Sequence, residues 1–372
     1  MRVLLFAPAV PPYGGMALQA QQLLQRLSAD QLRPAFLATN FPLPSPLGPL
    51  NRVPGLRTSI RAALVWPRLW FAVRRVDVVH VFAASWWYFF LSVVPAVVVG
   101  RIRRKRVVLN YRGGQAAAFF RQWGWLAAPV FRLADVVTAP SEFVAGLIRD
   151  AFAIPVDVVP NVVNGERFSF RARRTLTPRL LVTRHLEKPY DIESVLRAFQ
   201  LVQAQHPQAS LWIAGSGSEE RQLRGLAAEW RLRNVRFLGA VRHGDLPKIC
   251  DQCDIYVNAS RIDNFPGALL EASAAGLPVV TTGAGGIPLM YEHRRTGWLV
   301  EPGDWRGLAD GVLALLREPG IALAMAQAAS EMARACAWPE VKKRLFAAYG
   351  IHANQAENHV QPHEAGCELI AK

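Results

Sequence analysis

Residues 258–288 read NASRIDNFPGALLEASAAGLPVVTTGAGGIP. Just before them, DIYVNAS (254–260) is a short apolar strand running into a polar loop. Phe265-Pro266-Gly267 then opens a helix expected over Ala268 to Ala275. Pro266 suits the first helical position, where its missing N–H costs nothing, and Gly276 suits the C-terminal cap. PVVTT (278–282) is the next buried strand and GAGGIP a glycine-rich turn.

A strand, a loop and a helix N-terminus together favour an anion. The N–H groups of Gly267, Ala268 and Leu269 are expected to point out of the helix end, where the macrodipole adds partial positive charge. Asp263 and Glu271 lie eight residues apart, one in the loop and one about a turn into the helix. Such a pair can flank a sugar nucleotide and accept hydrogen bonds from its hydroxyls. The same residues also suit an ordinary strand–loop–helix connection in which Asp263 only caps.

Asp263-x7-Glu271, followed by AGLPVV and GAGGIP, resembles the donor-site motif of the family 4 glycosyltransferases. These have the GT-B fold, two doubly wound, Rossmann-like α/β domains facing across a cleft. The motif usually reads Glu-x7-Glu, and this chain resembles a subgroup with Asp-Asn-Phe/Met-Pro in place of the first Glu. The resemblance implies that Glu271 holds the donor ribose and that Asp263 faces the transferred sugar. It also implies that the Phe265-Pro266-Gly267-Ala268 backbone faces the diphosphate. The shorter carboxylate at 263 bears on donor-sugar identity more than on fold.

The 372 residues, 51% hydrophobic, suffice for two domains of ordinary size. Their net charge of +15 is one-sided: residues 1–168 hold 19 Lys/Arg against 7 Asp/Glu, and between Gln31 and Ala134 only Asp77 is acidic. Such an imbalance calls for an anionic partner. No basic-region helix, zinc-finger spacing or RNP-type motif supports nucleic acid, so an anionic membrane surface is expected. Four cysteines are too few for a disulfide scaffold, and Cys250-Asp-Gln-Cys253 reads as core beside a strand. That cysteine usage fits a reducing cytoplasm, and the opening MRVLLFAPAVPPYGG does not read as a secretory signal, Val3–Phe6 reading better as a first buried strand.

Along residues 1–168 strands alternate with helices, the pattern of a parallel doubly wound sheet. Gly14 and Gly15 sit between the first strand and first helix, and the resemblance places them at the donor diphosphate. Five prolines between Asn40 and Pro54 predict a loop. Arg57, Arg61, Arg68, Arg74 and Arg75 interleave with Leu64, Val65, Trp66, Leu69, Trp70 and Phe71, as in an interfacial amphipathic helix or a helix covering the sheet. Pro67 is expected to kink that helix or start another. VFAASWWYFFLSVVPAVVVG (81–100) has bilayer-spanning length, but Pro95 and the preceding strand favour a buried or interfacial helix. Pro160-Asn161-Val162-Val163-Asn164 resembles the family's crossover into the second domain, with a linker from Gly165 to about Pro178.

The second domain, 169–338, carries Arg184 and Lys188 after its first strand, where the family places an Arg and a Lys on the diphosphate. The Lys spacing is one or two residues short of the family's. Gly215, in Gly-Ser-Gly, resembles the family's second conserved loop. A last helix, 339–353, is expected to return to the first domain, followed by a disordered tail, 354–372.

Family 4 enzymes generally carry a histidine near the transferred sugar. The matching position here is Arg112, which stays protonated and so cannot be a general base. It can hydrogen-bond the donor sugar or offset diphosphate charge, and is expected to act electrostatically. His80, inside the strand DVVHVF, is either a core residue or one that orients the sugar. The expected function is therefore a retaining glycosyltransferase. It would use a nucleoside diphosphate sugar (UDP- or GDP-linked) as donor and a lipid-linked or cell-envelope glycan near the cytoplasmic membrane face as acceptor. No cofactor or metal is expected, since the chain lacks Asp-x-Asp, the usual metal–diphosphate clamp of the other main glycosyltransferase fold. A nucleotide-sugar epimerase of the same fold and a non-catalytic partner in polysaccharide assembly are the alternatives.

Overall fold

The computed structural model describes residues 1–11, 14–30, 32–163 and 167–351. The chain forms two compact units, Met1–Val162 with the segment from Pro339 onward, and Val163–Trp338.

The first unit is a six-stranded, all-parallel sheet. Its strands are β1 (Arg2–Ala7), β2 (Arg33–Ala38), β3 (Val78–Ala83), β4 (Arg106–Tyr111), β5 (Val136–Ala139) and β6 (Asp157–Val158), in the order β2-β1-β3-β4-β5-β6. Val3 to Ala7 and Val78 to Ala83 are buried throughout. Burial along the whole strand, apolar but for His80, is what a parallel strand covered on both faces shows. The crossovers are α1 (Gly15–Ala29), α2 (Pro54–Ala72), α3 (Val94–Ile102), α4 (Ala116–Leu133) and α5 (Glu142–Phe152). Phe131 stacks on Phe152 at 4.5 Å and Phe120 meets Phe152 edge-on at 4.9 Å, locking α4 to α5.

Of three local expectations for this unit, one fails and two are narrowed. The prolines of 40–54 do not keep the segment irregular: a 3-10 helix spans Ser45–Arg52 and α2 begins at Pro54. Proline at a helix start loses no bond, because that N–H has no intrahelical acceptor. Pro67 neither ends α2 nor starts a new helix, since the helix runs through it. The apolar stretch 81–100 carries the expected buried helix in its second part, Phe89–Ile102. It finishes β3, then passes through a π-helical turn (Phe89–Val93) into α3, with Phe89, Val93, Ala96 and Val97 fully buried. Among the described residues no single helix is long and apolar enough to cross a membrane.

The second unit repeats the architecture with β7 (Arg179–Val182), β8 (Ser210–Ala214), β9 (Val235–Gly239), β10 (Ile255–Asn258), β11 (Val279–Thr282) and β12 (Trp298–Val300). The order is β12-β11-β10-β7-β8-β9, all parallel. Its helices are α6 (Ile192–Gln205), α7 (Glu220–Glu229), α8 (Leu246–Gln252), α9 (Gly267–Ala274), α10 (Trp305–Arg317) and α11 (Pro319–Arg334). β7 and β10 are neighbours, with Ile255 opposite Leu180 and Tyr256 opposite Leu181. The chain winds outward from this pair in both directions, so the crevice above their carboxyl ends is the topological switch point, where open α/β sheets bind ligands. Buried Arg173 ties the linker to this unit through the carbonyls of Cys250, Cys253 and Ala275. Cys250 and Cys253 are free and buried, and burial pushes both thiols up to about 12.

The last helix, α12 (Trp338–Tyr349), packs on the first unit. Arg106 Nε donates to the Ala348 carbonyl at 2.8 Å, and Lys342 Nζ meets Asp30 at 2.6 Å. Pro12 and Tyr13 of the first loop, Asn164 and Gly165 of the crossover, and the tail 354–372 lie outside the described residues.

Candidate active site

Arg184 leaves β7 and Asp263 leaves β10, so both strands of the switch point deliver a charge to the same place. Arg184 Nη2 forms an ion pair with the Asp263 carboxylate and donates to Ser260 Oγ at 3.0 Å. Ser260 Oγ in turn donates to Asn258 Oδ1 at 2.8 Å, and Asn258 Nδ2 donates to Thr281 Oγ1 at 3.0 Å. Asn258, Ser260 and Thr281 are wholly buried, and these bonds satisfy them while they fix the guanidinium. Tyr190 lies under it, 4.3 Å from Cζ to the ring centroid. Burial lowers the Arg184 pKa from its ordinary value, while Tyr256, Tyr190 and Glu271 hold it up. Asp263 is thus an ion-pair partner and not a helix cap. Arg184 Nε is buried without a partner, and Nη1 makes no protein hydrogen bond among the described residues.

Two glycine loops clamp this pair. A Cβ on Gly215 would stand 1.9 Å from the Arg184 carbonyl oxygen, and one on Gly217 would stand 2.2 Å from that of Leu186. Across the site, a Cβ on Gly285 would stand 2.1 Å from the Asp263 carbonyl oxygen, which accepts from Gly286 N–H at 2.8 Å. Both loops need glycine for close backbone approach.

α9 starts at Gly267, with Pro266 as its N-cap, one residue later than Pro266 was expected to enter the helix. Leu269 N–H is not free, because it donates to the Pro266 carbonyl at 3.2 Å. The N–H groups of Gly267 and Ala268 have no acceptor among the described residues, and the space beside Gly267 is open. Gly276 ends the helix at φ +73°, with Leu277 N–H returning to the Ala272 carbonyl at 3.0 Å. Glu271 Oε1 meets His243 Nε2 at 2.7 Å, and Oε2 makes no protein hydrogen bond among the described residues. His243 was not legible in the sequence: it lies 28 residues from Glu271 in a short 3-10 turn (His243–Asp245), and only the passage from β9 back to α8 brings it here.

Lys188 is exposed at the start of a 3-10 turn (Lys188–Tyr190) and makes no ion pair or hydrogen bond with this cluster. In the first unit, Gly14 N-caps α1 and Gly15 begins it, with nothing beside either. Arg112 follows β4, donates to Asn161 Oδ1 and lies over the Phe82 ring at 5.0 Å. Burial pulls its pKa down to about 10, which still leaves it charged near neutrality. Its Nε is buried without a partner. His80 is not open to any ligand. It is wholly buried, with Nδ1 2.7 Å from Tyr349 Oη on α12 and Nε2 accepting from Asn110 Nδ2 at 3.0 Å. His80 is therefore a core link between β3 and α12, and its place among the catalytic candidates is corrected.

Residues 13–167 match the family model described as Glycosyltransferase Family 4, and residues 167–333 match Glycosyl transferases group 1. The chain belongs to the family 4 glycosyltransferases. The second match contains the whole Arg184–Asp263–Glu271–His243 cluster. Among relatives of this glycosyltransferase, a glycogen synthase of Mycobacterium tuberculosis is 28% identical over 306 residues, 77% of this chain and 72% of that one. A GDP-mannose-dependent alpha-(1-6)-phosphatidylinositol monomannoside mannosyltransferase of the same organism is 28% identical over 236 residues, 56% of this chain and 61% of that one. The fold is GT-B. Sucrose-phosphate synthase from Thermosynechococcus elongatus superposes with a TM-score of 0.77 at 19% identity, covering 94% of this chain and 98% of that one. Anabaena HepE, solved with UDP, gives 0.73 at 17%, covering 94% and 100%.

Proposed function

We propose that this glycosyltransferase moves a sugar from a nucleoside diphosphate sugar to a membrane-proximal acceptor, with retention of configuration and without a metal. The observation that carries the reading is the switch-point cluster, in which Arg184 Nη1, Glu271 Oε2 and two α9 N–H groups have no partner among the described residues. Glu271 accepts from the ribose hydroxyls, Arg184 and the Gly267 and Ala268 N–H groups hold the diphosphate, and Asp263 faces the sugar. Lys188, Gly14, Gly15, Gly215 and the Phe265–Pro266 turn complete the donor set implied by the family motif.

In the reaction the anomeric carbon–phosphate oxygen bond breaks and the acceptor hydroxyl bonds to that carbon from the same face. The leaving phosphate oxygen takes the acceptor's proton, so no protein base is required. Negative charge grows on the diphosphate as the bond breaks, and fixed cations and helix N–H groups stabilise it there without reorganising. Arg112, at the position matching the family's histidine, is assigned an electrostatic role on the strength of that match. A charge supplied by guanidinium in this way replaces the metal clamp of the other main glycosyltransferase fold.

An anionic membrane surface and a lipid-linked or envelope glycan acceptor are supported by the first unit. Trp70 and Phe71 near the end of α2 are exposed, with Arg103 stacked 3.5 Å over Trp70 and exposed Ile102 beside it in sequence. At the same edge Arg2, Arg33, Arg74, Arg75 and Lys105 line an open recess of about 420 Å³ whose one acid is Asp77. The reading is also supported by relatives named for amylovoran and colanic acid biosynthesis and by one named as a phosphatidylinositol monomannoside mannosyltransferase. An acceptor of this kind calls for an enzyme working at the cytoplasmic face of the membrane. The test is incubation with UDP-glucose or GDP-mannose and an envelope lipid extract, with the product's anomeric configuration read by NMR. A product of inverted configuration, or hydrolysis with no transfer, would refute the proposal.

A further inference from the structure

We propose that His243 is a positioning residue of the donor site, holding Glu271 by one carboxylate oxygen so that the other meets the nucleoside hydroxyls, and thereby linking donor affinity to a proton on this imidazole. The inference rests on the reading of Glu271 as the ribose anchor.

His243 Nε2 lies 2.7 Å from Glu271 Oε1, and the two side chains are 17% and 18% exposed. The pair is therefore shielded enough to have one geometry and open enough to meet a ligand. Phe168 sets its ring edge-on to the imidazole at 6.0 Å and limits its rotation. A carboxylate on a short helix has several rotamers, and a bond to one oxygen selects among them before the ligand arrives, which is preorganisation. The sequence contains no other residue that does this for Glu271 among the described residues, since Oε1 has only His243 as partner.

The groups around the imidazole set its charge. Glu271 on α9 raises its pKa above the ordinary value, while burial and Arg167 from the linker oppose that. On its own turn, Asp245 is engaged by Arg242 at 3.0 Å. On α8, the Cys250 thiol facing Glu271 is pushed up to about 12 and stays neutral. The sign follows: the imidazolium and its charge-assisted bond persist above about pH 6.5, the ordinary histidine value, and are lost as pH rises further. Loss of the proton weakens the hold on Glu271 and removes a positive charge from a site built for a diphosphate, so donor affinity falls.

The experiment is calorimetric titration of the full chain with UDP-glucose and GDP-mannose, diesters with no phosphate titrating near neutrality, on both sides of the imidazole range. Wild type, His243→Gln, His243→Ala and Glu271→Ala are compared, with melting temperature as the fold control. Wild-type affinity for the better donor is expected to fall about three- to tenfold across the range. His243→Gln, which keeps a neutral donor near the same place, should bind with intermediate affinity and no such slope. His243→Ala should bind about tenfold more weakly than wild type at the acid end, again without slope. A wild-type slope retained in His243→Gln, or unchanged affinity in His243→Ala, overturns the inference. If Glu271→Ala itself binds as wild type, or wild type binds neither donor, the donor-site reading fails with it. Dependence on Glu271 but not on His243 would sink this inference alone.

Discussion

Gly285 sits against the Asp263 backbone so closely that a single methyl would fall 2.1 Å from the Asp263 carbonyl oxygen. Its φ of +57° adds a left-handed conformation that side chains resist. Gly285→Ala should cost about 1–3 kcal/mol of stability. It should also displace the Asp263 loop and weaken donor binding. Thermal melts with nucleotide-sugar titration would read both, and a variant that melts and binds as wild type would disprove the clamp.

Glu271→Ala removes a charged acceptor from ribose hydroxyls. Bonds of this kind contribute about 1.5–3 kcal/mol, so donor affinity should weaken about ten- to a hundredfold with the fold intact. Calorimetry on the folded variant checks this, and unchanged affinity would count against the site.

Arg112 and His80 should separate cleanly. Arg112→Ala is expected to lower turnover about 10²–10³-fold at saturating donor, the usual loss for one preorganised charge-stabilising donor, and Arg112→Lys should recover part of it. His80→Ala should act on stability instead, leaving the Tyr349 hydroxyl and the Asn110 amide without their buried partner. Turnover per folded molecule near wild type in Arg112→Ala would reverse the assignment.

The same burial predicts an acid weakness in the first unit. Desolvation and the neighbouring Arg112 charge push the His80 imidazole down to about 3. An unfolded chain takes up that proton below about pH 6.5 while the folded one does not. Stability is therefore intact above that value and declines by up to about 1.4 kcal/mol per pH unit as pH falls toward 3. Denaturant melts of wild type and His80→Gln over this window check it: the variant should show a shallower decline, and equal slopes would contradict it.

Membrane association should be peripheral and salt-sensitive. Cations near anionic lipid contribute about 1 kcal/mol each and are screened within a Debye length. Flotation with phosphatidylglycerol vesicles should therefore succeed in low salt and fail in high salt. Arg74→Glu combined with Arg75→Glu should weaken it by about tenfold or more. Equal binding to neutral phosphatidylcholine vesicles would rule out the basic edge as the cause.

Much of this enzyme was determined by the sequence alone, because alternation of buried runs with amphipathic helices leaves a parallel sheet few alternatives. The stretch 258–288 carried strand, helix, cap and both site carboxylates, since glycine, proline and acidic residues at fixed offsets act locally. Local rules failed where a residue's position within an element mattered: prolines at 46 and 54 open helical turns because a helix's first N–H groups need no partner. What only the tertiary structure decided was the meeting of distant chain segments. Strand order places β7 beside β10 and so joins Arg184 to Asp263, 79 residues apart. The return of α12 buries His80 against Tyr349, 269 residues away, and removes it from chemistry. The passage from β9 to α8 sets His243 on Glu271, a pairing between two side chains whose spacing follows neither helical nor strand period.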